Sequence, residues 1–77
     1  YKERFIAEWA QTKIRLNKLD RMLQRHYSGT LDFEPTCPII LLEKQLLAMQ
    51  QYADMLEVRA EIERIELPTE KLMEGET

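Results

Sequence analysis

The chain is 77 residues long, 44% hydrophobic and 32% charged, with a formal net charge of −3. This length allows one domain, and a domain this small rarely buries enough apolar surface to be stable alone. The acidic balance argues against binding DNA, RNA or an anionic membrane over the whole surface. A single cysteine excludes an internal disulfide framework and favours a reducing cytosol. No apolar run approaches the roughly 20 residues that a membrane span requires.

The first predicted element is a helix over residues 1–28, which contain no glycine or proline. Apolar residues recur along it at alternating intervals of three and four, which is typical of a coiled-coil seam. Gly29 is the expected end of this helix, because glycine readily adopts the left-handed conformation. The predicted seam consists of Lys2, Phe5, Trp9, Thr12, Leu16, Leu19, Leu23 and His26.

Residues 29–37 are predicted to connect the first helix to a second one. Pro35 disfavours helix within this loop, whereas Pro38 suits the first turn of a new helix. Leu31 and Phe33 are apolar residues in an otherwise polar connection. We expect them to fold back over the open end of the hairpin.

The second helix is predicted from residue 38 to residue 66, because Pro68 disfavours helical conformation at the residue before it. Residues 68–77 form an acidic tail that is expected to be flexible. The predicted domain is therefore a helical hairpin over residues 1–67. The seam of its second helix consists of Ile39, Leu42, Leu46, Met49, Ala53, Leu56, Ala60, Glu63 and Leu67.

Helix 2 carries a second apolar stripe on the side opposite its seam. One partner helix cannot cover both sides, and leaving the stripe in water forgoes on the order of 10 kcal/mol. We therefore expect an all-α, antiparallel two-helix hairpin that assembles, like a coiled coil, into a helical homo-oligomer. The alternative is that some of these side chains are simply exposed. The predicted oligomer interface comprises Ile14 on helix 1 and Ile40, Leu47, Met55, Val58, Ile62 and Ile65 on helix 2.

Charge is segregated between the two helices. Residues 1–27 carry seven Lys or Arg against three Asp or Glu, whereas residues 28–67 carry three against eight. The simpler interpretation is that opposite charges beside the seam favour antiparallel pairing. The functional interpretation is that cations of the first helix reach an anion held between subunits, since Arg and Lys both bind phosphate. These cations are Lys2, Arg4, Lys13 and Arg15.

Aromatic residues occur near these cations. Tyr1, Phe5 and Trp9 share the first two turns of helix 1, and Tyr52 precedes Arg59 by one heptad on helix 2. Rings that stack on a base, with cations nearby for phosphate, suit a nucleotide site. The alternative is that Phe5 and Trp9 belong to the core and that Tyr52 lies at its edge.

Little in the sequence suggests catalysis. His26 is the only histidine, and together with Cys37 it forms no convincing metal site and only a weak nucleophile–base pair. No Gly-rich phosphate loop, HExxH motif or paired-carboxylate signature is present. We therefore expect no catalytic residue, no metal, no cofactor and no enzyme activity.

Four sequence segments support a family resemblance. They are YKERFIAE at residues 1–8, LDFEPTCP at 31–38, LLExQxxAMxxY at 41–52 and LExRAEIE at 56–63. With these segments the chain resembles a family of small proteins of crAss-like phages. That group in turn resembles the helical-hairpin domain of phage anti-CBASS and anti-Thoeris sponges. Ile39 and Ile40 depart from the family pattern, which more often has charged residues there, and this implies a larger apolar contact between subunits.

The resemblance implies a phage anti-defence protein in the host bacterial cytoplasm. Such sponges oligomerise and sequester a cyclic nucleotide immune signal between subunits without cutting it. The implied partners are a cyclic di- or trinucleotide or a cyclic ADP-ribose-type molecule and further copies of the chain, with no DNA, RNA or membrane. The implied ligand-binding residues are Tyr1, Arg4, Trp9, Lys13, Thr36, Cys37, Pro38, Tyr52 and Arg59.

Two other functions compete with this interpretation. A non-catalytic inhibitor or adaptor could use the second apolar stripe to bind a host protein, as an amphipathic helix binds a groove. A DNA-binding regulator is disfavoured, because helix-turn-helix spacing is absent and helix 2 is acidic where a recognition helix is basic.

Overall fold

The computed structural model describes residues 1–68, and within them the chain forms two α-helices and no β-strand. Helix α1 runs Lys2–Ser28 and helix α2 runs Ile39–Glu63. The side chains of Tyr1 and Glu63 meet at one end and those of Tyr27 and Glu43 at the other, so the helices run antiparallel. The predicted all-α helical hairpin is confirmed. The predicted flexible tail lies, from residue 69 onward, outside the described residues.

The best-packed part of the core lies at the end of the hairpin where α1 begins and α2 ends. Ala53 and Ala60 are buried there, and their small side chains let α1 approach α2 closely. The buried hydroxyl of Thr12 donates a hydrogen bond to the carbonyl of Glu8 at 2.8 Å, which satisfies it within its own helix. The core cluster consists of Phe5, Trp9, Leu56, Ala60 and Ile65.

The loop end of the hairpin is packed less completely. Leu16 and Leu23 of α1 are buried there, but the α2 residues that face them are only half-buried. These half-buried residues are Ile39, Leu42, Leu46 and Met49. Within residues 1–68, neither helix is long and apolar enough to cross a membrane.

Both helices end in the same hydrogen-bonding pattern. Gly29 has φ 76°, and the amides of Gly29 and Thr30 donate to the carbonyls of His26 and Arg25. Residue 64 repeats this Schellman arrangement, which requires a left-handed residue after the last helical turn. The predicted stop at Gly29 is therefore confirmed.

The end of α2 corrects one prediction. The helix ends at Glu63 rather than at residue 66, because Arg64 adopts the left-handed conformation with φ 58°. The amide of Ile65 then donates to the carbonyl of Ala60 at 2.8 Å, and the side chain of Ile65 turns into the chain's own core, where it is 6% exposed. Ile65 therefore does not lie on the predicted oligomer interface.

We predict that Arg64→Gly stabilises the hairpin by about 1 kcal/mol, because a non-glycine residue pays a steric penalty of this size in the left-handed region. Urea unfolding followed by circular dichroism measures the change. Arg64→Ala removes the same charge but keeps the Cβ atom, so it should leave the stability nearly unchanged. Equal stabilisation by both variants would contradict this explanation.

Candidate functional site

Five large apolar side chains form a stripe on the face of α2 that points away from α1. We call Ile40, Leu47, Met55, Val58 and Ile62 the outer stripe. They are 55–76% exposed, and they fall within an arc of roughly 80° on an ideal helix. Lys44 and Gln51 interrupt the stripe on the same face, and polar residues at such positions restrict which partner and register fit.

The other predicted interface residue, Ile14, is 45% exposed on α1. It lies one turn before Lys18 on the outer face of that helix. The structure therefore leaves all but one of the predicted interface residues exposed on the single chain. Their assignment to an oligomer interface stays a prediction.

Tyr1 and Arg59, two predicted ligand-binding residues, meet at the terminal end of the hairpin. The Tyr1 hydroxyl donates to Glu63 Oε1 at 2.7 Å, and Arg59 Nη2 donates to the Tyr1 hydroxyl at 2.8 Å. Arg59 also pairs with Glu63 at 3.2 Å and stacks over the Phe5 ring at 5.0 Å from its centroid. The Arg59 guanidinium is therefore already paired with the Glu63 carboxylate of the same chain.

Trp9 and Lys13, two further predicted ligand-binding residues, share a different carboxylate. Trp9 Nε1 donates to Glu57 Oε2 at 3.0 Å, and Lys13 Nζ lies 3.7 Å from the same oxygen. The Trp9 side chain is 0% exposed, so its ring packs in the core instead of facing a ligand. This corrects the expectation for Trp9, because coiled-coil spacing places it on the seam.

The remaining predicted site residues lie at both ends of the molecule. Arg4 is exposed near the start of α1, and the Tyr52 hydroxyl donates to Glu8 at 3.4 Å. Residues 36–38, including the free thiol of Cys37, are exposed at the loop end. Helix α1 separates the two ends by about 40 Å, so Thr36, Cys37 and Pro38 cannot join Tyr1 and Arg59 in one site within a single chain.

The hydrogen bonds to carboxylates change how two tyrosines titrate. The bond to Glu63 raises the pKa of Tyr1, because the ionised phenol would face a carboxylate, and the same bond lowers the pKa of Glu63. The bond from Tyr27 to Glu43 raises the pKa of Tyr27 for the same reason.

We predict that Glu63→Gln moves the pKa of Tyr1 down towards its ordinary value, since the amide carries no charge that opposes the phenolate. Carbon-13 NMR of ring-labelled tyrosine across an alkaline titration measures this. Tyr27 is the internal control, because its partner Glu43 is unchanged. If the titration midpoint of Tyr1 is unchanged in the variant, the hydrogen bond to Glu63 is not what raises the pKa of Tyr1.

A surface pocket of about 360 Å³ opens at the loop end, on the outer face of α1. The predicted ligand-binding residues do not line it. The sequence signal for this pocket is the spacing of Lys18, Arg21 and Arg25, which are three and four residues apart and so share one face of α1. Its walls consist of Lys18, Arg21, Met22, Arg25, Leu31 and Phe33. Leu31 and Phe33 thus fold back towards α1 from the loop.

The chain matches the model of a known protein family. The family model named Sequestin matches residues 1–62. The chain belongs to the Sequestin family. No curated protein and no solved structure matches the chain.

The Sequestin match spans α1, the connecting loop and all of α2 except its last residue. It therefore includes all residues of the outer stripe and of the loop-end pocket. It also includes Trp9, Glu57 and Arg59, but not Glu63, the carboxylate that pairs with Arg59. Within residues 1–68, no group of three or more His, Cys, Asp or Glu side chains is arranged to hold a metal ion.

Proposed function

We propose that the chain is a phage anti-defence sponge that binds a cyclic nucleotide immune signal between subunits. The signal is a cyclic di- or trinucleotide or a cyclic ADP-ribose-type molecule, which the protein sequesters in the host bacterial cytoplasm without cleaving it. Membership of the Sequestin family carries the proposal, because the family name denotes sequestration.

Sequestration requires binding alone, so it needs no catalytic residue. When free sponge exceeds its dissociation constant about 100-fold, roughly 1% of the signal stays free. A rigid scaffold lowers the entropic cost of such binding. Two long helices that end in defined hydrogen-bonded caps provide a scaffold of this kind.

The outer stripe supports assembly from further copies of the chain. Covering its five exposed side chains is worth on the order of 5 kcal/mol per chain, when each is credited only with the area still exposed. A ligand held between copies would then contact residues from both ends of the hairpin, which one chain cannot bring together.

The exposure of the outer stripe also supports a second candidate, a non-catalytic inhibitor or adaptor that binds a host protein. Light scattering on the purified chain discriminates between the two. A stable homo-oligomer would cover the stripe and favour the sponge, whereas a monomer with an open apolar face would favour the adaptor.

Calorimetry with cyclic di-AMP, cyclic GMP–AMP, cyclic tri-AMP and cyclic ADP-ribose tests the sponge. We expect one of them to bind more tightly than about 10 µM. Heat denaturation of the complex, followed by mass spectrometry, should then return that molecule uncut. Failure of every compound to bind at this level, or recovery of cleaved product, would count against the proposal.

A further inference from the structure

We propose that the loop-end pocket binds one nucleotide unit, with its phosphate on the α1 cations and its base against Phe33. This inference rests on the proposed function and deepens it, because it assigns a location to the sequestered signal. It moves the binding site away from the terminal end of the hairpin, where the family resemblance had suggested Tyr1 and Arg59.

The first support is the arrangement of the cations. Lys18, Arg21 and Arg25 line the pocket from consecutive turns of α1, within an arc of about 60° on an ideal helix. Arg binds phosphate through two parallel hydrogen bonds, and Lys adds a point charge. Three such groups on one face form an anion site on a chain whose net charge is −3.

The second support is that, among the described residues, no carboxylate forms an ion pair with these cations. The ion pairs within residues 1–68 join Lys13 to Glu57 and Arg59 to Glu63. An anion at the terminal end must therefore compete with a carboxylate of the same chain. Lys18, Arg21 and Arg25 have no ion pair within that part of the chain, so a phosphate can bind them without displacing one.

The third support is the aromatic wall. The amides of Thr30 and Leu31 donate to the carbonyl of Arg25 at 2.9 and 3.2 Å, which holds the loop against the last turn of α1. This positions Phe33 on the pocket, where the residue remains 54% exposed. A base that stacks on such a ring gains affinity without sequence-specific hydrogen bonds.

The size of the pocket indicates how much of a ligand it holds. A volume of about 360 Å³ lies near the lower limit for small-molecule sites, which range over roughly 300–1,000 Å³. This suits one nucleotide rather than a whole cyclic dinucleotide. The rest of a cyclic signal would extend towards a second copy, and the exposed Ile14 lies beside the pocket on the same helix face.

NMR chemical-shift mapping on the full chain tests the pocket with AMP, ribose 5-phosphate, adenosine and inorganic phosphate. We expect AMP to shift the amides of residues 18–25 and 30–34 at lower concentration than any of the other three. Equal shifts from inorganic phosphate would show a simple anion site and overturn recognition of the ring. Chemical-shift changes confined to the terminal end of the hairpin would show that the nucleotide does not bind in the loop-end pocket.

Calorimetry on variants then connects the pocket to the cyclic signal. With the cyclic nucleotide panel above, Arg21→Ala and Phe33→Ala should each raise the dissociation constant at least about tenfold. Both side chains are exposed, and circular dichroism verifies that the variants fold. Arg64→Ala is the matched control, because it removes one arginine charge at the opposite end of the hairpin and should bind like the wild type.

The two proposals fail in different ways. If the wild type binds a cyclic nucleotide and the pocket variants bind it equally well, the sponge stands and the pocket is overturned. Loss of binding in Arg59→Ala alone would overturn the pocket in the same way. If the wild type binds no member of the panel, the sponge itself is overturned, whatever AMP does at the pocket.

Discussion

Replacing Trp9 with alanine is expected to destabilise the hairpin by about 3–5 kcal/mol. The indole is fully buried in the core cluster, so truncation leaves a cavity between α1 and α2 that a two-helix core cannot refill. The variant also leaves Glu57 without its indole donor. This loss is a large fraction of the total free energy of unfolding, which is about 5–15 kcal/mol for a small domain.

Urea unfolding followed by circular dichroism at 222 nm measures the loss, since Trp9 is the only tryptophan and its fluorescence disappears with it. Trp9→Phe is the matched variant. It keeps a ring in the core but removes the bond to Glu57, so a smaller loss of about 1–2 kcal/mol is expected. A loss below about 1 kcal/mol in Trp9→Ala would show that the indole is not central to the core.

Introducing a charge into the outer stripe is expected to weaken the proposed association between copies of the chain. Leu47→Asp places a carboxylate in the middle of the stripe, and burying it against another copy without a partner is strongly unfavourable. We expect the association constant between chains to fall at least about 100-fold, which corresponds to roughly 2.7 kcal/mol. Sedimentation velocity over a range of concentrations measures the change.

Gln50→Asp is the control for this experiment. It adds the same carboxylate to an exposed position of α2, but roughly 80–100° from both the seam and the outer stripe. It should associate like the wild type. If Leu47→Asp also associates normally, the outer stripe is not the contact between copies.

The hairpin was predictable because its signals are local and agree with one another. The seam residues Phe5, Trp9 and Leu16 are buried as their spacing predicts, and Gly29 ends α1 where a left-handed residue is needed. The end of α2 was not predictable in this way. Arg64 adopts the left-handed conformation without being glycine, and this single residue redirects Ile65 from the outer stripe into the core.

The site was harder to predict, because it depends on which cationic side chains pair with carboxylates in the folded chain. The sequence places Lys13 and Arg59 among candidate ligand residues, but only the fold shows that Glu57 and Glu63 already pair with them. The loop-end pocket depends on the path of the loop, which the carbonyl of Arg25 fixes. The sequence predicts that Leu31 and Phe33 fold back over the open end of the hairpin, whereas the structure places them beside the cations on the outer face of α1.

Native mass spectrometry of the wild-type chain with the cyclic nucleotide panel tests the central claim most directly. The sponge predicts a complex of two or more chains whose mass includes one intact cyclic nucleotide, released uncut on dissociation. A chain that remains single and unliganded with every compound, or that releases a hydrolysed nucleotide, would contradict it.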